Sequence, residues 1–187
     1  MATLNDFMKF TKEALDDFAS YVEDNSRKRF LRKYKFQKKA SAKGKLYNAI
    51  DSDVQVKENS ILVRFPFMKD VEYAKFVDQG VKGKTSTYSP SRTSPFGFGS
   101  GNKDGGLRKG IERWVKSKRF QFRTEDGKFM SYQSMTYLIS RKIYNKGIPA
   151  KKFFTRSFDE AYKNLPQEIV EAFALDVKER FKEFTTK

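Results

Sequence analysis

The sequence contains neither cysteine nor histidine. Disulfides, thiolate nucleophiles, Cys/His zinc sites, serine triads and histidine acid-base catalysis are therefore all excluded within this chain. A catalytic site would have to use carboxylates, for example around magnesium, as metal-dependent nucleases do. These absences favour a protein that is not an enzyme, and they predict no cofactor and no metal site.

The few carboxylates that could serve such a site do not form a distinctive pattern. Asp51 and Asp53 flank the start of a predicted strand, and Glu72 and Asp78 lie on the next segment. In a chain with 23 acidic residues such proximity is expected by chance. We interpret all four as carboxylates of turns and helix surfaces. A metal-dependent nuclease is therefore the least favoured of three hypotheses, and the other two follow below.

Long hydrophobic runs are also lacking. No apolar stretch approaches 18 residues, so no membrane-spanning helix is expected. The segment MATLNDFMKF has acidic Asp6 where a signal peptide would have a basic region. We expect a soluble protein that is made in a cytoplasm and has no membrane partner.

Positive charge is abundant. The chain has 39 lysines and arginines against 23 acidic residues, which gives a formal charge of +16 and predicts attraction to polyanions. Ten basic residues and no acidic one lie between Arg27 and Lys45, where Phe30, Leu31, Tyr34 and Phe36 interrupt the run.

Two interpretations of this basic segment stay open. It is a polyanion-binding arm with aromatic side chains available for stacking, or it is a helix extension whose aromatic residues dock on the core. In the first case the protein is a nucleic-acid-binding module that uses residues 27–45. The polyanion-binding residues would be Arg27, Lys28, Arg29, Arg32, Lys33, Lys35, Lys38 and Lys39.

The hydrophobic pattern predicts the fold class. Apolar residues at alternating spacings of four and three, from Leu4 through Leu15 to Val22, predict a first amphipathic helix. Two strands are predicted with a turn at Glu58 to Ser60, and the second strand shows Ile61, Val63, Phe65 and Phe67 on one face. Four stretches from Leu107 onward have helical spacing, so we predict an α+β fold in which a small antiparallel sheet packs against several amphipathic helices, with a long N-terminal helix and a long C-terminal helix.

The later helices have clear predicted faces and ends. Trp114 is expected on a buried face beside Val115, and Ser131 is expected to cap a helix that stops at Gly147 and Pro149. The residues expected to face inward in the last two long helices are Met135, Leu138, Ile139, Ile143, Ile169, Phe173, Val177, Phe181 and Phe184. An EDG turn between Phe122 and Phe129 predicts a second small hairpin.

We treat the chain as one domain, because 187 residues suffice for a single core that is rich in phenylalanine. Its predicted parts are an N-terminal helix (1–24), a basic arm (25–45), a sheet core (46–80), a long loop (81–106) and a mainly helical part (107–187). The loop is too long for an ordinary connection and carries Tyr88, Phe96 and Phe98, so we expect it to order against a partner.

Three short segments follow one another in a characteristic order: GKLYNAI, YAKFVDQG and GIPAKKFF. In this order, over residues 40–165, they resemble the tail-completion or neck proteins of tailed bacteriophages. The positions that match that family's motifs are Gly44, Leu46, Ala49, Ile50, Tyr73, Ala74, Phe76, Val77, Asp78, Gly80, Ile148, Ala150, Phe153 and Phe154.

The resemblance implies a structural virion protein. Its partners would be identical subunits in a ring, together with the portal or connector and the tail proteins, and DNA would pass through the ring and could contact it. The protein would be made in the host cytoplasm and would reside at the head-tail interface of the virion. Partner or inter-subunit contacts are expected at Tyr73, Phe76, Tyr88, Phe96 and Phe98.

Overall fold

The structure, a computed structural model, describes residues 8–33, 44–85, 93–98 and 106–185. Predictions made for residues 1–7, 34–43, 86–92, 99–105 and 186–187 lie outside the described residues, as do those for the side chains of Lys33 and Phe184. In chain order the described elements are α1 (Lys9–Lys33), α2 (Lys45–Ala49), β1 (Asp53–Lys57), β2 (Ser60–Arg64), α3 (Phe67–Asp70), α4 (Ala74–Gln79), β3 (Val81–Lys82), α5 (Gly106–Lys118), α6 (Tyr132–Lys146), β4 (Gly147–Ile148), α7 (Thr155–Tyr162) and α8 (Leu165–Thr185).

The predicted α+β class is confirmed. Helices predominate, a long helix lies near each end of the chain, and the strands form two small antiparallel sheets, β1 with β2 and β3 with β4. The contacts divide the chain, which the sequence analysis treats as one domain, into two compact units. Unit 1 comprises Met1–Asp78 and Lys151–Lys187, and unit 2 comprises Gln79–Ala150.

In unit 1, helix α1 packs against α7 and α8 along one buried stripe. The stripe consists of Thr11, Leu15, Phe18, Val22, Ser26 and Phe30, at intervals of three and four residues. Because Ser26 and Phe30 continue it, the helix runs on to Lys33, and the predicted boundary at residue 24 is wrong. Residues 25–33 are therefore part of α1 rather than the start of an arm, and Phe30 docks on the core.

Phenylalanine rings fill the core of unit 1. Phe153 is fully buried and lies with its ring centroid 5.4 Å from that of Phe30 and 6.3 Å from that of Phe67. Phe65 contacts Phe154 at 5.1 Å, edge to face. Burial of each such ring contributes about 1.5–3 kcal/mol, so this aromatic set is a main source of the unit's stability.

Strands β1 and β2 pair from Asp53 opposite Arg64 to Lys57 opposite Ser60, around the predicted turn. The second strand is shorter than predicted, because it ends at Arg64 and does not include Phe65 or Phe67. Pro66 has helical dihedral angles and precedes the short helix α3, so the chain turns there and directs Phe67 into the core. The apolar spacing of these two phenylalanines reflects burial, not strand geometry.

Unit 2 contains helices α5 and α6, which pack on each other, and the β3–β4 pair. Ser131 caps α6 as predicted, since its Oγ accepts a hydrogen bond from Ser134 N at 3.1 Å. The helix ends at Lys146, followed by Gly147 with φ of 80°, which confirms the predicted stop. An isolated bridge between Arg123 and Phe129 confirms the predicted small hairpin.

Several side chains predicted to face inward are exposed instead. Trp114 is 45% exposed, so its predicted place in the core is wrong, whereas its neighbour Val115 is fully buried. Leu138, Phe173 and Phe181 are likewise exposed. Helix α8 buries Leu165, Ala172 and Asp176, and of the predicted stripe Ile169 packs against this core whereas Phe173 and Phe181 do not.

Candidate functional site

Two of the three motif segments meet at Asp78, within unit 1. The Asp78 side chain is fully buried, and its carboxylate accepts hydrogen bonds from Phe154 N at 2.8 Å and from Thr155 N and Thr155 Oγ1. Two backbone bonds lie alongside: Lys151 N donates to Val77 O at 3.0 Å and Lys152 N to Asp78 O at 2.8 Å. Three hydrogen bonds therefore join YAKFVDQG to GIPAKKFF, and two more join it to Thr155, the residue that follows GIPAKKFF.

The Asp78 carboxylate acts as the cap of helix α7. The first N–H groups of a helix lack partners within it, and a negative charge beside them is favourable. Here the cap comes from a residue 76 positions earlier than Phe154. The interpretation of Asp78 as a turn or helix-surface carboxylate is therefore wrong, because burial among backbone donors was not visible from local sequence.

In unit 2 the described part of the long loop is anchored to β3. Lys82 N donates to Phe96 O at 2.8 Å, Phe98 N donates to Lys82 O at 3.0 Å, and Ser94 Oγ donates to Gly80 O at 2.8 Å. The ring of Phe98 lies 6.0 Å from that of Tyr144. Residues 93–98 are thus ordered by their own chain.

The predicted contact residues fall into separate groups. Tyr73 and Phe76 belong to unit 1 and are 45% and 41% exposed, three residues apart around the α4 turn. Phe96 and Phe98 belong to unit 2 and are half-buried. Tyr88 lies outside the described residues.

The predicted polyanion-binding residues are not gathered into one free surface. Arg27 forms an ion pair with Glu23 at 2.5 Å and donates to Ile50 O, and Arg29 pairs with Glu160. Lys28 and Arg32 are exposed on α1. Lys33 is described only by its backbone, and Lys35, Lys38 and Lys39 lie outside the described residues.

Glu160 is held by two arginines. Arg156 Nε donates to its carboxylate at 3.1 Å, and Arg29 lies on the other oxygen. The hydrogen bond from Arg156, aided by the positive charge of Arg29, lowers the pKa of Glu160 below its ordinary value. This charge cluster joins α1 to α7 and occupies part of the basic segment.

Carboxylates do not converge elsewhere in the described ranges. Within them, no group of three or more Asp or Glu residues is placed to hold a metal ion. The absence of enzyme activity stays a prediction. In the part of the chain that the structure describes, every helix is too short or too polar to cross a membrane.

One open depression in unit 2 has a volume of about 350 Å³. It is lined by Arg108, Met130, Gln133, Ser134, Tyr137 and Leu138. Arg108 is the single charged residue of that lining, which also has three polar side chains and two apolar ones.

Sequence reasoning missed two features that the structure makes plain. Asp176 of α8 is buried and accepts hydrogen bonds from Phe10 N, Thr11 N and Thr11 Oγ1, so α8 caps the start of α1. No local pattern announces that contact. The second feature is the uneven charge of the two units: unit 2 carries 15 lysines and arginines against four acidic residues, a net charge of +11, and counting charge by segment would have revealed it.

Searches of protein-family models, of curated proteins and of solved structures found no match to this chain.

Proposed function

We propose that this chain is a structural virion protein of the head-tail junction of a tailed bacteriophage. In this proposal it forms a ring of identical subunits between the portal or connector and the tail, and the ring lets DNA pass. The observation that carries the proposal is the meeting of the YAKFVDQG and GIPAKKFF segments at Asp78.

That meeting gives the resemblance a physical basis. The segments are 76 residues apart at the Asp78 to Phe154 hydrogen bond, and yet the residues that match the neck-protein motifs form one joint. Ala74, Asp78 and Phe153 are all fully buried in it. The shared capped helix start and the common core support the interpretation of these positions as parts of one motif.

The exposed side chains of the same joint suit contact between subunits. Tyr73 and Phe76 stand on the outside of a segment whose inner face is fixed by Ala74 and Asp78. Aromatic side chains are enriched at protein interfaces, and a heterologous contact that closes by rotation generates a ring.

The alternative, a nucleic-acid-binding protein that uses residues 27–45, has weaker support. Arg27 and Arg29 have intramolecular partners, and Lys28, Arg32 and Lys45 are the exposed basic side chains of the described part of that segment. Three exposed cations give a small electrostatic contribution to polyanion binding.

The assembly state tests the proposal. We would measure the mass of the purified chain by light scattering, alone and with the connector isolated from the same particles, at low and moderate salt. The proposal expects either a discrete multiple of 21.8 kDa that appears as a ring by electron microscopy, or a monomer that joins a ring on the connector. A chain that stays monomeric under both conditions contradicts it.

A matched pair of variants locates the contact. Tyr73→Ser with Phe76→Ser should abolish assembly while leaving the far-UV circular dichroism unchanged, because both side chains are exposed. Phe129→Ser removes a ring that is 62% exposed in unit 2 and should assemble normally. Equal assembly by both variants would exclude Tyr73 and Phe76 as the contact.

A further inference from the structure

Unit 2 presents an exposed aromatic surface that includes none of the proposed inter-subunit contact residues. Three aromatic side chains, Trp114, Phe120 and Phe122, form a contiguous exposed row that we name the aromatic surface. The ring centroids of Trp114 and Phe120 lie 5.4 Å apart, and those of Phe120 and Phe122 lie 5.1 Å apart. All three rings are between 37% and 51% exposed, so each ring contacts its neighbour and still offers a face to solvent.

Cations flank this row. Lys118 is four residues beyond Trp114 on α5 and therefore shares its side of the helix, and Arg119 directly precedes Phe120. Among the described residues, neither Lys118 nor Arg119 has an ion-pair partner. The net charge of unit 2 as a whole is +11, whereas that of the 115 residues of unit 1 is +5.

The backbone conformation of Arg119 places Phe120 against Trp114. Its φ is 50°, in the left-handed region that favours glycine at a helix end. Phe120 N bonds back to Val115 O at 3.0 Å, which closes the helix and turns Phe120 onto Trp114. An arginine occupies a position where glycine would be more stable, so the cation lies there at a conformational cost.

We infer that the aromatic surface, with Lys118 and Arg119, is a binding site for single-stranded nucleic acid. Unpaired bases stack on aromatic rings, and lysine and arginine track the phosphates beside them. A duplex keeps its bases stacked on each other, so it would engage the cations alone. An acidic protein face would also satisfy the cations, but it would leave the three ring faces without their preferred partner.

Trp114 is the only tryptophan of the chain, so its fluorescence reports on this surface alone. We would titrate the full chain with an oligothymidylate of about 16 nucleotides, the upper end of known site sizes, and with polyglutamate of equal charge. Stacking predicts that the oligothymidylate quenches Trp114 emission and that polyglutamate does not. Equal quenching by both, or none by the oligothymidylate, would overturn the assignment, and a response to polyglutamate alone would indicate an acidic protein partner instead.

The two faces of the small hairpin supply a matched control. Phe122→Ser should weaken binding about tenfold, within the range for loss of one stacked base, and Phe122→Tyr should restore it. Phe129 is paired with Arg123 across the hairpin, and the alternation of strand side chains places it on the face opposite Phe122. Phe129→Ser should therefore stay within twofold of the unmodified protein, and an equal loss in both variants would contradict a site on one face.

Charge reversals separate this surface from the basic segment of α1. Lys118→Glu with Arg119→Glu should weaken binding and make the slope of log affinity against log salt shallower by about 1.4, at about 0.7 per phosphate contact. Lys28→Glu with Arg32→Glu changes the net charge equally on unit 1 and should have little effect. The reverse order of these effects would place the site on α1. Assembly into a ring is measured separately, so failure here leaves the proposed function standing.

Discussion

Replacement of Asp78 is the sharpest test of how the two motif segments are joined. In Asp78→Ala, three donors lose their acceptor: Phe154 N, Thr155 N and Thr155 Oγ1. Loss of a helix cap costs about 0.5–2 kcal/mol, and a hydrogen bond to a charged group contributes about 1.5–3 kcal/mol. Because Phe154 and Thr155 are only partly buried, water can replace some of these bonds, so we expect a destabilisation of about 3 kcal/mol.

Asp78→Asn should cost less. The amide oxygen in the place of Oδ1 can still accept from Phe154 N and Thr155 N, and the amide nitrogen can donate to Thr155 Oγ1. The main losses are the second, longer bond from Thr155 N to Oδ2 and the negative charge beside the start of α7. We expect a destabilisation of about 1 kcal/mol, as for one ordinary hydrogen bond. Asp159→Asn, on the exposed side of the same helix α7, is the control and should stay within about 0.5 kcal/mol.

Urea unfolding followed by far-UV circular dichroism measures these differences. With a urea dependence of about 2 kcal/mol per molar, the Ala variant should shift the midpoint by about 1.5 M. Hydrogen exchange of the α7 amides localises the loss to that helix. If Asp78→Ala behaved like Asp159→Asn, the carboxylate would not be what holds the two segments together.

Three other perturbations follow from single positions. Arg119→Gly should raise the free energy of unfolding by about 1 kcal/mol, because it removes the strain of a left-handed residue at the end of α5. Thermal unfolding measures the change, and a loss of stability would show that Arg119 is not strained. Gly147→Ala should cost about 3 kcal/mol or more by urea unfolding, since φ is 80° and the new Cβ would lie 2.3 Å from Val81 O; wild-type stability would contradict that close approach. Glu160→Gln should lower the melting temperature at neutral pH and should have no effect in acid. The pKa of Glu160 is lowered in the folded state, so its ionised form stabilises that state above the ordinary pKa of 4.5, and this contribution disappears as the pH falls through the lowered pKa. A melting-temperature difference that persists well below pH 4.5 would exclude this ion pair as the cause.

Periodicity and local stop signals predicted the elements well. The stripe through Leu15, Phe18 and Val22 lies in the core, Ser131 caps α6, and Gly147 ends it. These features depend on residues within a few positions of each other, so the sequence contains the whole reason for them.

The candidate site was less predictable because its determinants are distant in sequence. Asp78 is recognisable as a cap only when Thr155 is known to lie beside it, and Trp114 looks like a core residue until α6 is seen to pack on Val115's side of α5 instead. Pro66 indicates locally that β2 ends, whereas the alternating apolar residues Phe65 and Phe67 led to the wrong prediction of a longer strand. Apolar character predicted burial for side chains of α5 and α8, but some of them, such as Trp114 and Phe173, are exposed.

The bond between Asp176 and Thr11 affects the order of events during synthesis. The two residues are 165 positions apart, so at about 5–20 residues per second a ribosome needs about 8–33 s after making Thr11 to supply its partner on α8. Unit 2 spans residues 79–150, so all of it has been synthesised before α8 exists. Unit 2 is thus synthesised before Asp176, the residue that caps the start of α1.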